Sequence, residues 1–164
     1  MDHSQKIHDA ARSVIARAAA QGQIIITAES CTGGMVAACL TDVAGSSAVF
    51  DRGLVTYSNQ AKMDLLGVPP TTLYRCGAVS AETATAMADG ALATTPAAHI
   101  AIAITGIAGP DGGSIEKPVG LVYFGIAKRG TATKTARHIF SGTRDIIRRK
   151  SVETALDLIS NILE

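Results

Sequence analysis

The sequence predicts an α/β protein, a three-layer α/β/α sandwich around a mixed, mainly parallel sheet. Its 164 residues suffice for one domain with a core, because 47% are hydrophobic and only 18% are charged. Amphipathic segments of helical length alternate with short apolar runs of strand length. Two further apolar runs, separated by KRGTA, predict a β-hairpin that precedes a final helix.

Hydrophobic periodicity predicts each element in chain order. The apolar positions of residues 4–21 share one helical face, and Gly22 ends that helix. The run QIIITA predicts a buried strand over 23–28. The other predicted helices cover 32–42, 59–66, 80–93 and 143–163, and the other predicted strands cover 48–57, 98–105, 119–127 and 133–140. No repeat or linker interrupts the chain, so we expect residues 1–164 to form a single domain.

Composition and charge exclude several classes of function. The net charge is +1 and aromatic residues make up 4%, which disfavours nucleic acid as a partner. The longest apolar runs, such as IAIAI, are too short to span a membrane, so no membrane association is expected. The N-terminus has no signal-peptide core, which predicts a cytoplasmic protein.

The cysteines and histidines show no metal-ligand or disulfide pattern. There are three cysteines and four histidines, and none of them forms a CxxC pair or a zinc-type spacing. We therefore expect no metal, no cofactor and no disulfide framework.

Two glycine-rich loops follow predicted strands, TAESCTGG after the first and TGIAGPDGGS after the strand over 98–105. Ligands of open α/β sheets bind beyond the carboxyl ends of the parallel strands. The second loop has four glycines between Thr105 and Ser114, whose N–H groups could form an anion nest, although it could equally be a plain connection. Asp111 in this loop could bind a cation or cap a turn.

Ser30 and Cys31 are adjacent candidate nucleophiles in the first loop. A helix predicted to open with Thr32, Gly33 and Gly34 would present free N–H groups to an oxyanion near Ser30. The alternative for Ser30 is a helix N-cap. The same helix start would lower the pKa of Cys31, although cysteine is more often a small buried packing residue.

A base for either nucleophile is less obvious. His99 opens a predicted strand far from its carboxyl end, and His138 lies within the hairpin, so neither is well placed. Lys62 follows another predicted strand and could act as the base if burial lowered its pKa, with Tyr57 beside it to relay a proton. The alternative is that Lys62 is an ordinary solvated lysine.

Three arginines near the start of the last predicted helix could bind a phosphate. They are Arg144, Arg148 and Arg149, and the first and second are four residues apart on one helical face. The alternative is a solvated basic face.

Several of these segments together resemble the CinA C-terminal domain family, the stand-alone nicotinamide-nucleotide amidases. The similar segments are TAESCTGG, AGSSAVFDRGLVTYSNQAK, GAVS, TGIAGPDGGSIEKPVGLVYFGI and FSGTRDIIRRKS. They extend from about residue 27 to residue 151, and the first and fourth in this order are highly specific.

The resemblance implies that nicotinamide mononucleotide is hydrolysed at its carboxamide to nicotinate mononucleotide and ammonia, by a serine and a lysine without metal. The implied catalytic residues are Ser30, Lys62 and Tyr57. The implied substrate-binding residues are Cys31, Thr32, Gly33, Gly34, Thr105, Gly106 and Arg149, where the choice of Arg149 over Arg148 is open.

Alternatives remain open beside this interpretation. A non-catalytic nucleotide-binding module would share the loops and arginines without needing Lys62, and a hydrolase could use Cys31 instead of Ser30. Many family members carry an additional N-terminal domain, and any pyrophosphatase activity linked to that domain is not expected of this sequence. The alanine-rich helices could pack against another subunit, so we expect a homo-oligomer such as a dimer.

Overall fold

The computed structural model describes residues 3–164, and side-chain environments from residue 5 onward. The helices are α1 (His3–Gln21), α2 (Met35–Thr41), α3 (Asn59–Leu66), α4 (Pro70–Cys76), α5 (Ala81–Thr94) and α6 (Arg144–Ile162). The strands are β1 (Ile25–Glu29), β2 (Phe50–Val55), β3 (Ile100–Gly106), β4 (Leu121–Lys128) and β5 (Lys134–Ile139). A short 3₁₀ turn, Ser46–Ala48, precedes β2. No helix within the described residues is both long enough and apolar enough to cross a membrane.

The five strands form one mixed sheet in the order β2-β1-β3-β4-β5. Strand β1 pairs in parallel with β2 on one side and with β3 on the other. Strands β3, β4 and β5 pair antiparallel in sequence order. Four of the five strands therefore point the same way, and the carboxyl ends of β2, β1 and β3 meet at one edge.

Helices cover both faces of the sheet, which confirms the predicted sandwich. One apolar cluster packs α1, α2 and α6 against side chains such as Ile25, Ile102 and Phe124. The other packs α3 and α5 against the opposite face, through residues such as Ile26 and Met87. The alternation of apolar side chains along β1 places one set in each layer.

The predicted helix over 32–42 is wrong at its start, because α2 begins only at Met35. Gly33 and Gly34 have φ angles of 59° and 95°, which lie in the left-handed region and cannot belong to a right-handed helix. Residues 31–34 form a turn instead.

One other predicted element is shorter than expected, and one helix is additional. The strand expected over 48–57 is shorter, covering Phe50–Val55, because the preceding residues close a 3₁₀ turn. Helix α4 was not predicted at all. Its seven residues start at Pro70, and a helix that short has too few turns for a hydrophobic period to stand out.

Helix α3 sits against α5 at a glycine. A Cβ atom on Gly90 would lie 1.8 Å from the backbone oxygen of Leu66, the last residue of α3. Only glycine allows the two helices to approach this closely. The contact sets the position of α3 and of every side chain it carries.

Candidate functional site

A small cavity of about 230 Å³ opens at the carboxyl edge of the sheet. It lies beyond the carboxyl ends of β1 and β3. The chain passes from β1 to its neighbour β2 on one side, whereas β3 pairs with β1 on the opposite side. Such switch points are the usual ligand sites of open α/β sheets. The lining residues are Ser30, Cys31, Tyr57, Lys62, Ala78, Val79, Thr105, Gly106, Ala108 and Arg144.

Lys62 is buried against Ser30. Its side chain is 1% exposed, and Nζ donates to Ser30 Oγ at 3.1 Å. Nζ also donates to the backbone oxygens of Thr56 at 2.9 Å and Tyr57 at 3.4 Å. Helix α3 starts just after β2, which runs beside β1, so the fold brings together two residues that are 32 positions apart.

Burial lowers the pKa of Lys62 from its ordinary value of 10.5. Desolvation disfavours the charged ammonium, and within the described residues no carboxylate forms an ion pair with it to restore that charge. The neutral amine is therefore more accessible than in a solvated lysine. The interpretation of Lys62 as an ordinary surface lysine is wrong.

Ser30 is not a helix N-cap, although it lies just before the turn that leads into α2. The cap position of α2 is Gly34, and Ser30 Oγ instead faces Lys62 and the backbone oxygen of Tyr57. The side chain of Ser30 is thus free of a capping role and open to the cavity.

Cys31 is buried, with 6% of its surface exposed. Burial raises the pKa of its thiol to about 11, and this outweighs the opposing effects of Arg148 and Lys62. The expected lowering of its pKa by a helix N-terminus is wrong, because desolvation dominates. The thiol is protonated at neutral pH and is a poor nucleophile.

A buried carboxylate, which sequence reasoning missed, caps α2. Glu29 is fully buried and accepts hydrogen bonds from the backbone N–H groups of Gly34, Val36 and Ala37, at 3.0, 3.1 and 2.9 Å. A signal was available in the sequence, since a glutamate ended a buried strand just before a glycine pair and a helix. The N–H of Gly34, which the resemblance places among the substrate-binding groups, therefore already has a partner within the chain.

The three other N–H groups of the turn, those of Cys31, Thr32 and Gly33, differ in whether they have a backbone partner. Gly33 N–H donates to the backbone oxygen of Ser30 at 3.0 Å, so it too is engaged. The N–H groups of Cys31 and Thr32 donate to no backbone oxygen of another described residue. Cys31 lines the cavity beside Ser30, whereas Thr32 is fully buried behind it.

Tyr57 contacts Lys62 through its backbone and Arg144 through its side chain. Its backbone oxygen accepts from Lys62, whereas its hydroxyl accepts from Arg144 Nη2 at 3.1 Å. Tyr57 is 62% exposed at the cavity mouth. Arg144 also donates to the backbone oxygen of Gly109 at 2.8 Å, which ties α6 to the second glycine-rich loop.

Thr105 and Gly106 form the β3 side of the cavity. Thr105 Oγ1 donates to the backbone oxygen of Ala78 at 2.7 Å and holds the GAVS segment in place. A Cβ atom on Gly106 would lie 2.7 Å from the side chain of Val122, so this position accepts only glycine without rearrangement.

The three arginines of α6 lie in three different environments. Arg144 lines the cavity, and Arg148 donates to the turn backbone at Cys31 and Thr32. Arg149, chosen above as a substrate contact, lies instead on a separate surface cavity beside Met35. The fold does not bring Arg149 to Ser30.

The histidines contribute nothing to the cavity within the described residues. His99 Nδ1 accepts from the backbone N–H of Ile24 at 3.0 Å, and His138 stacks on Phe140. The described residues contain no group of three or more histidine, cysteine, aspartate or glutamate side chains able to hold a metal ion. The arrangement as a whole can support nucleophilic acyl transfer from a serine with an amine base.

Comparison with known proteins gives the class to which this fold and site belong. The model of the family described as CinA C-terminal domain matches residues 7–163. The chain belongs to this family.

Similar proteins carry a more particular name. A protein of Enterobacter agglomerans named nicotinamide-nucleotide amidohydrolase PncC is 48% identical over 156 residues, covering 93% of this chain and 94% of that one. A protein of the same name from Escherichia coli K12 is 52% identical over 140 residues, covering 85% and 84%. The crystal structure of competence/damage inducible protein CihA from Agrobacterium tumefaciens is 47% identical with a TM-score of 0.94, covering 97% and 96%.

Proposed function

We propose that this protein is an amidohydrolase that converts nicotinamide mononucleotide to nicotinate mononucleotide and ammonia. The names of its similar proteins support the substrate and the reaction. The observation that carries the mechanism is the buried Lys62 with Nζ 3.1 Å from Ser30 Oγ. Ser30 is the nucleophile and Lys62 is the base, and residues 1–164 act as one domain.

The surroundings of Lys62 suit a neutral amine. A neutral amine has two N–H groups and one lone pair. The backbone oxygens of Thr56 and Tyr57 can accept the two N–H groups, which leaves the lone pair facing Ser30 Oγ. Because burial lowers the pKa of Lys62, this form is reached at a lower pH than in water.

The first half of the reaction forms an acyl-enzyme. Ser30 Oγ bonds to the carboxamide carbon of the substrate while its proton passes to Lys62. The N–H groups of Cys31 and Thr32 stabilise the negative charge that develops on the carboxamide oxygen. The C–N bond then breaks, Lys62 returns the proton to the departing nitrogen, and ammonia leaves.

The second half releases the product. A water molecule loses a proton to the neutral Lys62 and attacks the acyl carbon. The bond to Ser30 Oγ breaks, and Oγ recovers a proton from Lys62. The product leaves as the carboxylic acid of nicotinate mononucleotide and ionises by giving its proton to the solvent, and the enzyme returns to its starting state.

Arg144 is the arginine that we propose for contact with the anionic nucleotide, together with the hydroxyl of Tyr57. Arg144 lines the cavity and contacts that hydroxyl, whereas Arg149 lies on a separate cavity. A guanidinium at the cavity mouth can bind a phosphate while Ser30 reaches the carboxamide deeper inside.

The test is ammonia release from nicotinamide mononucleotide without added metal. Wild type, Ser30→Ala and Lys62→Met are compared with Lys134→Met, which changes an exposed lysine on β5 at the far edge of the sheet. We expect release by wild type and Lys134→Met, and a loss of about 10²-fold or more in the other two variants. Binding of the nucleotide by wild type without turnover would instead indicate a non-catalytic nucleotide-binding module.

A further inference from the structure

The turn between β1 and α2, residues 30–34, is held from two sides by opposite charges. On one side, the fully buried carboxylate of Glu29 accepts from the N–H groups of Gly34, Val36 and Ala37. A carboxylate at a helix N-terminus is favoured by the helix dipole as well as by the hydrogen bonds. This contact occupies the N-terminal donors of α2, which are the donors that an anionic ligand would otherwise use.

On the other side, an arginine of α6 holds the carbonyl groups of the same turn. Arg148 donates from Nε to the backbone oxygen of Cys31 at 3.0 Å and from Nη2 to that of Thr32 at 3.1 Å. Its guanidinium also packs over Gly33, where a Cβ atom would lie 3.4 Å from Nη2. The planar, two-pronged guanidinium fixes two neighbouring carbonyl groups at once.

These contacts determine where the two free N–H groups point. In a planar trans peptide the C=O and N–H bonds point in opposite directions. The N–H of Thr32 shares a peptide plane with the carbonyl of Cys31, which is anchored by Arg148. The N–H of Cys31 shares a plane with the carbonyl of Ser30, which accepts from Gly33 N–H at 3.0 Å. Both free N–H groups are therefore oriented by the bonds to their own carbonyls.

We propose that Glu29 and Arg148 are positioning residues that together set the turn so that the N–H groups of Cys31 and Thr32 form the oxyanion site of Ser30. Neither side chain touches the reacting atoms, and neither lines the cavity. Arg148 is thus an orienting residue of the backbone rather than a phosphate ligand. This inference rests on the proposed function, in which Ser30 is the nucleophile.

The test compares Glu29→Gln and Arg148→Lys in the full chain. Glutamine keeps the shape of Glu29 but turns an NH₂ group toward backbone donors, and lysine keeps the charge of Arg148 but loses its two-pronged geometry. Two rates are measured: ammonia release from nicotinamide mononucleotide, and covalent labelling of Ser30 by a fluorophosphonate, followed by intact mass. We expect each variant to lower kcat and the labelling rate by about 10-fold or more, toward the ~10²-fold cost of losing one oxyanion donor.

Two further readouts separate positioning from other roles. KM should change little, because the nucleotide contacts are intact. The midpoint of the pH profile of kcat/KM should not shift, because Lys62 remains the base. A shift of the profile in Glu29→Gln would instead mean that Glu29 takes part in proton transfer, and the proposal would fall.

Matched controls account for lost stability. Arg129→Lys removes a similar set of hydrogen bonds from a guanidinium to backbone oxygens. Arg129 donates to those of Leu92, Thr95 and Ala98 at the end of α5. Leu156→Ala opens the core beneath α6, where Leu156 is fully buried. Both controls should lower the melting temperature while leaving kcat and labelling unchanged. If Glu29→Gln and Arg148→Lys lose no more than these controls, the proposal is overturned.

The two rates also separate this inference from the proposed function. If wild type is labelled at Ser30 but releases no ammonia, the proposed substrate is wrong, and the labelling rates still decide the roles of Glu29 and Arg148. If wild type releases ammonia but is not labelled at Ser30, the assignment of Ser30 and this inference are wrong while the amidohydrolase reaction stands, and if it does neither, both proposals fail.

Discussion

The chemistry of this site depends on how two neighbouring side chains are solvated. Lys62 and Cys31 both lose water, and burial moves their pKa values in opposite directions because it always disfavours the charged form. The lysine moves toward a reactive neutral amine, whereas the cysteine moves toward an inert neutral thiol. Desolvation therefore favours Ser30 with Lys62 over Cys31 as the reactive pair.

The pH profile tests the role of Lys62. In the proposed mechanism only neutral Lys62 can accept the proton of Ser30, so kcat/KM should rise with pH through the pKa of Lys62 and level off above it. Because burial lowers that pKa, the midpoint should lie below the ordinary value of 10.5. The measurement is initial ammonia release across pH, with Lys62→Met as the comparison. A rise in Lys62→Met with the same midpoint would assign the titration to another group.

Substitution of Cys31 tests the rival nucleophile. Cys31→Ala keeps the backbone N–H and removes a thiol that is protonated at neutral pH, so kcat should stay within about tenfold of wild type, a change below ~1.4 kcal/mol in the barrier. Iodoacetamide at neutral pH should leave wild type active. Ser30→Ala, measured in parallel, should lose far more. An inactive Cys31→Ala together with inactivation by the reagent would favour a Cys31 hydrolase.

At the scale of elements, the site is assembled by short connections between strands and helices. Strand β2 ends at Val55 and α3 begins at Asn59, so the first turn of α3 carries Lys62 directly to the carboxyl end of β1. Ser58 accepts from Ala61 N–H at 3.0 Å and caps α3. The contact between α3 and α5 at Gly90 then fixes how deeply α3 can sit.

Gly90→Ala tests this contact. The new methyl group would overlap the backbone oxygen of Leu66, so α3 has to shift and carry Lys62 with it. We expect the free energy of unfolding to fall by about 1–3 kcal/mol, despite the better helix propensity of alanine, and kcat to fall as well. Urea unfolding and ammonia release measure the two effects.

Gly22→Ala is the control for Gly90→Ala. Gly22 has a φ of 62° and no heavy atom within 4 Å of an added Cβ, so alanine there adds backbone strain without displacing a neighbour. This variant should lose stability while keeping kcat. Equal losses of kcat in both variants would mean that the position of α3 does not govern activity.

At the scale of the whole molecule, burial of Lys62 is expected to lower stability, a cost that its proposed role as the base would explain. Lys62 is among the largest fully buried side chains of the protein, in a position where an apolar side chain would avoid the desolvation of an ammonium group. A residue whose burial lowers stability in this way is expected at functional sites.

The pH dependence of stability tests this expected cost. The pKa of Lys62 is lower in the folded state than its ordinary value of 10.5, so between the two pKa values the unfolded chain binds more protons. The free energy of unfolding of wild type should therefore gain a contribution as pH rises toward 10.5 that Lys62→Met lacks. Urea unfolding of both proteins is measured from about pH 7 to about pH 10. The free energy of unfolding of wild type should increase relative to that of Lys62→Met as the pH rises. A difference independent of pH would contradict a buried, desolvated Lys62.

Hydrophobic periodicity and motif order were enough to predict the sandwich, most of its helices and strands, and the family. They were also enough to bring the two glycine-rich loops to one edge of the sheet, because strand direction and short connections decide that locally. The sequence also singled out Ser30 and Lys62, whose catalytic roles stay predictions until the assays are made.

Only the tertiary structure decided which of the polar residues meet. Lys62 Nζ and Ser30 Oγ, 3.1 Å apart, are 32 positions apart in sequence. The approach of Arg144 rather than Arg149 to the cavity depends on how α6 is oriented. The direction of the pKa shift of Cys31 could not be predicted from the sequence either. Desolvation depends on what covers a side chain, and that covering is made by elements far away in sequence.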